Sequence, residues 1–368
     1  MNALKTTRVM SSPYMQWVKS HTHVKYNLAA SGVANYPLSM LPVRLEDLEI
    51  TGDSTYGYQP LQQALSRHCG VPADRIFASI GTSLANHIAM AVLVNPGDEV
   101  LIEEPTFELL VSTAQYLGAT VRRFPRAAEG GFPIMPEDIE KGISGRTKLV
   151  ILTNLHNPSS AFTGEKALRL IGEAARSVGA RVLVDEAYLE AAFERAQRSA
   201  IHLGSEFVVT SSLTKAYGLS GLRCGWVLAE PDLIRRMWHL NDLFDVTHPH
   251  ATERLSVIAL RHLGKIRSWA QAIVNENQNL LRELLLPRDE IECFSPGLGT
   301  VVFPRLRRGK VDDLCTHLLQ RYQTVVAPGK FFGAPAHFRI ALGVKPEMFR
   351  EGLLNVCRTL DDLGGNKQ

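Results

Sequence analysis

The strongest constraint on this chain is a repeated alternation through its middle. Short apolar runs at 99–103 (EVLIE), 120–124, 148–153 (KLVILT), 181–185 (RVLVD), 207–210 (FVVT) and 225–229 (GWVLA) are separated by amphipathic stretches such as 83–93, 107–117 and 165–178. Such runs read as strands buried on both faces, and the longer periodic stretches as helices that cover them. The expected fold class is α/β, with a mostly parallel central sheet covered by helices and ligands bound beyond the carboxyl ends of its strands. Helical patterning continues at 231–245 and 252–286, the latter as one or two long helices. Beyond Pro287, extended apolar runs at 299–303 and 338–342 and helices at 311–322 and 346–360 predict a smaller α+β domain. The expected division is a large domain at 46–270 and a small one built from 1–45 with 271–368.

Composition narrows the function classes. The 40 basic and 37 acidic residues nearly balance at a net charge of +3, and the basic residues form no long run, so neither nucleic acid nor a membrane surface is the expected partner. The five cysteines are scattered without a C-x-x-C pair, which points away from a disulfide framework or zinc site and toward a reducing, cytoplasmic compartment. The start of the sequence lacks the continuous apolar stretch of a signal peptide, and no window reaches the roughly 20 apolar residues of a bilayer span. The i, i+2 pairs His21 with His23 and His248 with His250 lack a third clustered ligand, so no metal is expected.

Lys215 lies in SSLTKAYGLSGLRCGW, framed by hydroxyls and followed by glycine-spaced Arg223. Such a lysine can form a Schiff base with an aldehyde, as with pyridoxal 5′-phosphate, and would then need a phosphate cradle, a carboxylate for the pyridine nitrogen and a substrate anchor. Asp185 ends RVLVD at the carboxyl end of a predicted strand, with Tyr188 three residues on. Its carboxylate suits a protonated ring nitrogen, or it simply caps the next element. Asn157, before Pro158, could join Tyr188 in donating to a ring oxygen, although Asn-Pro alone is only a turn signal. Gly81, Thr82 and Ser83 open a predicted helix and offer free N–H groups and hydroxyls to a phosphate, or serve as an ordinary N-cap. Ser212 and Arg223 are placed to reach the same phosphate, the arginine as a bidentate clamp. Phe107 is a candidate to lie on the ring or a plain core residue. Arg339 sits inside the apolar run FRIALG, where a cation is costly unless paired, so a substrate carboxylate is its expected partner. Trp17, Gly32 and Tyr36 are placed at the substrate mouth, with Gly32 a candidate carboxylate contact.

These elements, in this order and over nearly the whole chain, resemble the fold-type I pyridoxal-phosphate enzymes, specifically the class I/II aminotransferases related to aspartate aminotransferase. The resemblance implies that Lys215 carries the Schiff base and shuttles the proton, and that Asp185 pairs with the pyridine nitrogen. It implies Asn157 and Tyr188 on the ring oxygen, Thr82, Ser212 and Arg223 on the phosphate, Phe107 stacked on the ring, and Arg339 on the substrate α-carboxylate. Tyr56, in STYGYQPL, resembles the family tyrosine that reaches the phosphate of a neighbouring subunit, which implies a homodimer. Two departures stand out. Tyr56 and Leu61 are unusually close, so the dimer contact is expected to be reshaped. Ser160 replaces the glycine that normally ends the asparagine-proline motif, so a different backbone conformation is expected there.

The implied activity is transfer of an amino group from an amino acid to a 2-oxo acid by a ping-pong cycle. The same residues would also serve a lyase, a decarboxylase or a cyclase. A pyridoxal-phosphate sensor fused to a DNA-binding module is disfavoured, since only about forty residues precede the first core helix.

Overall fold

The computed structural model describes residues 9–53, 55–195 and 198–365. Its centre is a seven-stranded sheet built from β1 (Ile76–Ile80), β2 (Glu99–Glu104), β3 (Thr120–Pro125), β4 (Thr147–Thr153), β5 (Arg181–Asp185), β6 (Phe207–Ser212) and β7 (Cys224–Leu228). The strand order is β1-β7-β6-β5-β4-β2-β3, and only β7 runs against its two neighbours. The sheet is therefore mostly parallel, as the alternation predicts. Its central strands are Val, Leu and Ile on both faces because helices cover both faces.

Helices α1 (Pro13–Ser20) and α2 (Gln59–Cys69) precede the sheet, and α3 (Thr82–Leu93), α4 (Glu108–Tyr116), α5 (Pro136–Gly142) and α6 (Glu165–Ser177) are threaded between its strands. After β7 come α7 (Pro231–Asn241), α8 (His250–Arg261) and α9 (Leu263–Leu284), so the predicted helical stretch at 252–286 is two helices, parted at His262. A second hydrophobic cluster joins Leu28, the end of α9, α10 (Val311–Tyr322), α11 (Pro346–Gly365) and a three-stranded sheet of β8 (Val301–Val302), β9 (Ala327–Pro328) and β10 (Phe338–Ala341). Tyr26–Asn27 pairs with Thr324–Val325, tying the N-terminal segment to this C-terminal unit. Among the described residues no helix is long and apolar enough to cross a membrane.

Candidate active site

The site lies where β4, β5 and β6 end, the place at which open α/β sheets leave a crevice. Asp185 is the last residue of β5 and is buried. One carboxylate oxygen accepts from Asn86 Nδ2 at 2.8 Å and the other from the Ala187 N–H at 3.0 Å, so both direct partners are neutral. Burial raises its pKa, while Asn86, Ala187 and the more distant Lys215 pull the other way. Asn86 is itself oriented by Thr210, whose hydroxyl donates to Asn86 Oδ1 at 2.6 Å. Asn86 was invisible to motif reading, but it does leave a trace, as one polar residue on the buried face of the otherwise apolar helix TSLANHIAMAVL.

Lys215 follows β6 and extends its amine past the Tyr188 ring, with Nζ 5.9 Å from the ring centroid. Part of the side chain faces open space, yet protein crowds it on nearly every side. Desolvation is the dominant influence and brings its pKa down to about 8; Arg339 and Arg223 push the same way, against Tyr14 and Asp185. The Nζ donates to Ser31 Oγ at 2.7 Å. Ser31 was missed in the sequence, which singled out only its neighbour Gly32. Tyr188 is buried and its hydroxyl has no aligned hydrogen-bond partner, although Ser31 lies near enough to influence it.

The N-terminal segment reaches this crevice because small residues let it approach. The Val33 N–H donates to Lys215 O at 2.9 Å, and a side chain at Gly32 would press on Thr214 O and the Lys215 backbone. Gly32 thus packs against the lysine loop, at the crevice where a carboxylate contact is expected of it.

Arg339, on β10, is fully buried and, among the described residues, has no carboxylate partner. Its Nη1 donates to Asn157 Oδ1 at 2.9 Å, and its Nη2 donates to the Tyr14 hydroxyl at 2.7 Å and to Ala29 O at 3.1 Å. Its guanidinium stands 4.9 Å from the Phe332 ring centroid, and its Nε is left without a partner. Tyr14, from α1, also meets Phe107 edge to face at 5.9 Å. Phe107 itself is half-buried at the entry to α4. Because Asn157 spends its carbonyl oxygen on Arg339, its amide N–H groups are free to donate into the crevice.

At the opposite end, Gly81 takes φ 87° at the start of α3, where a side chain would collide with the Arg223 guanidinium. Gly225 makes a similarly close approach to the Gly81 and Thr82 backbone. The Thr82 hydroxyl donates to Ser212 Oγ at 2.8 Å. Arg223 donates to Ile80 O at 3.4 Å and forms no ion pair among the described residues. Ser83, on the second position of α3, is exposed. Helix N–H groups, two hydroxyls and an uncommitted guanidinium thus converge at one end of the crevice.

Ser160 corrects the expectation that serine would force a new backbone course. It keeps the glycine-like conformation, with φ 61°. Its N–H donates to His156 O at 2.7 Å and its hydroxyl to Val301 O at 2.7 Å, two bonds that hold the left-handed turn in place. Tyr56 is exposed and sits against Trp238, His239 and Asp242.

The donor set fits pyridoxal phosphate. An orphan Tyr188 hydroxyl, a buried Asp185 answered only by neutral donors, a depressed lysine and an anion-ready helix start match its phenolic oxygen, ring nitrogen, aldehyde and phosphate in turn. Fold and site together define a pyridoxal-phosphate enzyme of fold type I. The chain belongs to the aminotransferase class I and II family, whose sequence model matches residues 48–355. It is 27% identical over 365 residues to capreomycidine synthase of Streptomyces vinaceus, covering 95% of this chain and 94% of that one. It resembles the solved PLP-dependent cyclase OrfR at 25% identity and TM-score 0.88, with 98% of this chain and 100% of that chain covered. A PLP-dependent aminotransferase from Streptococcus suis shares the fold at TM-score 0.89 and 24% identity, over 96% of this chain and 99% of that one. The cofactor of this family is pyridoxal 5′-phosphate.

Proposed function

We propose that this chain moves an amino group from an amino acid to a 2-oxo acid in a ping-pong cycle, with Lys215 as both Schiff-base former and proton carrier. The observation that carries the reading is the Lys215 amine, lowered to about 8 and placed beside Tyr188 in a crevice shared with Asp185 and Arg339. An amine with that pKa keeps an appreciable neutral minority near physiological pH, far more than an ordinary lysine, so it can act as nucleophile or base. When bound, pyridoxal phosphate supplies an electron sink for the bonding pair released at the substrate α-carbon. Asp185 would hold the ring nitrogen protonated, and Asn86 keeps that carboxylate aimed. Asn157 and Tyr188 would donate to the ring oxygen, while Phe107 would pack on the ring. Gly81, Thr82, Ser83, Ser212 and Arg223 would hold the phosphate. Arg339 would grip the substrate α-carboxylate, with Asn157 and Tyr14 fixing its guanidinium. Lys215 would take the α-proton and return it to the carbon on the other side of the shared nitrogen, the cofactor's C4′.

Tyr56 would complete the phosphate site of a second copy, making the active form a homodimer. The support is its exposure beside a patch that includes Leu243, Phe244 and Val246, all exposed. The division into 46–270 and 1–45 with 271–368 belongs to the same reading, as does a cytoplasmic setting, supported by five free cysteines.

A second reading is cyclisation, favoured because capreomycidine synthase and OrfR match this chain over nearly their whole lengths. Incubation of the holoprotein with single amino acids and no acceptor separates the two. Conversion of one cofactor equivalent to its amine form, then arrest, is the transaminase result, whereas continued turnover with the cofactor returned to its aldehyde form is the cyclase or lyase result. Lys215→Ala is expected to lower either activity at least about a thousandfold. Activity retained at the wild-type rate would remove Lys215 from the mechanism.

A further inference from the structure

The segment 28–36 runs as a strap across the crevice and touches both of its key cations. The Ala29 carbonyl accepts from Arg339 at 3.1 Å, Ser31 Oγ accepts from Lys215 Nζ at 2.7 Å, and the Val33 N–H donates to Lys215 O at 2.9 Å. Its path is fixed by the backbone. Thr300 Oγ1 donates to Ser31 O at 3.0 Å, Ala34 N–H to Gly343 O at 2.7 Å and Tyr36 N–H to Gly218 O at 3.0 Å, while Gly343 packs too closely on Gly32 to admit a side chain and Gly32 packs tightly on the lysine loop. None of these contacts uses the Ser31 hydroxyl. Among the described residues that hydroxyl bonds Lys215, and the Tyr188 hydroxyl, which has no aligned partner of its own there, is its other polar neighbour.

We infer that Ser31 is a positioning residue that holds the Lys215 ε-amine in its free state, between its periods of covalent attachment. The inference rests on the role proposed above for Lys215. A neutral amine has two N–H bonds and one lone pair. Tying one N–H to Ser31 Oγ restrains rotation about the terminal C–N bond and limits the lone pair to the two remaining directions. Ser31 retains its own O–H, which can donate toward Tyr188, so the lysine, the serine and the tyrosine form a short chain at the Cα side of the crevice. A protonated amine is held by the same acceptor, so losing the hydroxyl favours the neutral form. The other groups acting on this amine are Tyr14 of α1, Arg339 of β10, Asp185 of β5 and Arg223 before β7, and all of them are unchanged by a substitution at 31.

The test uses the full-length chain with Ser31→Ala and Ser31→Thr. In the apoprotein, the pH dependence of Lys215 acylation by acetic anhydride is followed by peptide mass spectrometry. The midpoint is expected to fall in Ser31→Ala and to return toward wild type in Ser31→Thr, which keeps the hydroxyl. In the holoprotein, the single-turnover rate with an amino donor is expected to drop about tenfold in Ser31→Ala with KM changed by less than about threefold, again with recovery in Ser31→Thr. A Ser31→Ala protein that titrates and reacts like wild type overturns the inference. A Ser31→Thr protein that fails as fully as Ser31→Ala also overturns it, because the loss would then follow side-chain shape. Borohydride trapping of the cofactor on wild-type Lys215 is read separately: its absence defeats the proposed role of Lys215, while the acylation profile still reports on Ser31.

Discussion

Among the described residues two arginines, Arg126 and Arg339, are buried completely, and they are buried differently. Arg126, past the end of β3, meets Glu103 Oε2 at 2.9 Å and also donates to Phe132 O at 2.8 Å, Thr153 O at 3.3 Å and Thr163 Oγ1 at 3.4 Å. Every nitrogen of its guanidinium has a partner, and its charge is cancelled inside the fold. Arg339, among the described residues, has only neutral partners, no carboxylate and an orphan Nε. A buried cation without a counter-ion costs stability, and a fold tolerates the cost where a ligand supplies the missing charge. Arg126 is thus a charge the fold satisfies by itself, whereas Arg339 suits the ligand-gripping role proposed for it.

The sharpest way to break the comparison is Arg126→Leu. It strands Glu103 in the core and is expected to cost about 3–5 kcal/mol in urea unfolding. Arg339→Leu is expected to leave unfolding stability unchanged or improved, and to reduce kcat/KM for the amino donor about a hundredfold. If Arg339→Leu unfolds the protein as readily as Arg126→Leu does, the distinction between the two fails.

Lys215 extends the comparison to a titratable cation. Its folded value of about 8 lies below the ordinary 10.5, so between those values the unfolded chain binds more protons and stability rises with pH. Apoprotein carrying Lys215→Met should therefore gain on wild type at and below about pH 8 and lose that advantage steadily as pH climbs toward 10.5, which thermal melts across the range would reveal. A difference that stays constant over this window would mean that the amine is not depressed.

The smallest effect concerns a buried polar group without charge. Ser160→Ala keeps the unfavourable backbone conformation and loses the bond to Val301 O, for an expected loss of about 1 kcal/mol. Ser160→Gly loses the same bond but relieves the backbone, and should come out within roughly 0.5 kcal/mol of wild type by chemical denaturation. An equal loss in both variants would remove the backbone from the explanation.

Much of the sheet can be read directly because its central strands are covered on both faces, so their apolar runs are almost unbroken. The runs at 99–103 and 181–185 fall in strands Glu99–Glu104 and Arg181–Asp185 for that reason. The break at His262 is not legible, because an apolar stripe continues across it from α8 to α9. Among the site residues, Asp185, Lys215 and Arg223 announce themselves through strand ends and glycine spacing. Ser31 and Tyr14 carry no such signal, since each is an ordinary residue until the N-terminal segment is laid across the crevice.

The local order of residues by itself determined the α/β alternation, the strand ends that present Asp185 and Asn157, and the glycine-lined approach to Arg223. These follow from periodicity and backbone sterics, which act over a few residues. Only the tertiary structure decided that Arg339 has no counter-ion, that Asn86 aims Asp185, that Ser160 keeps a left-handed turn and that Ser31 meets the Lys215 amine. Each depends on groups far apart in the chain, and burial, charge compensation and hydrogen-bond satisfaction are properties of the packed neighbourhood.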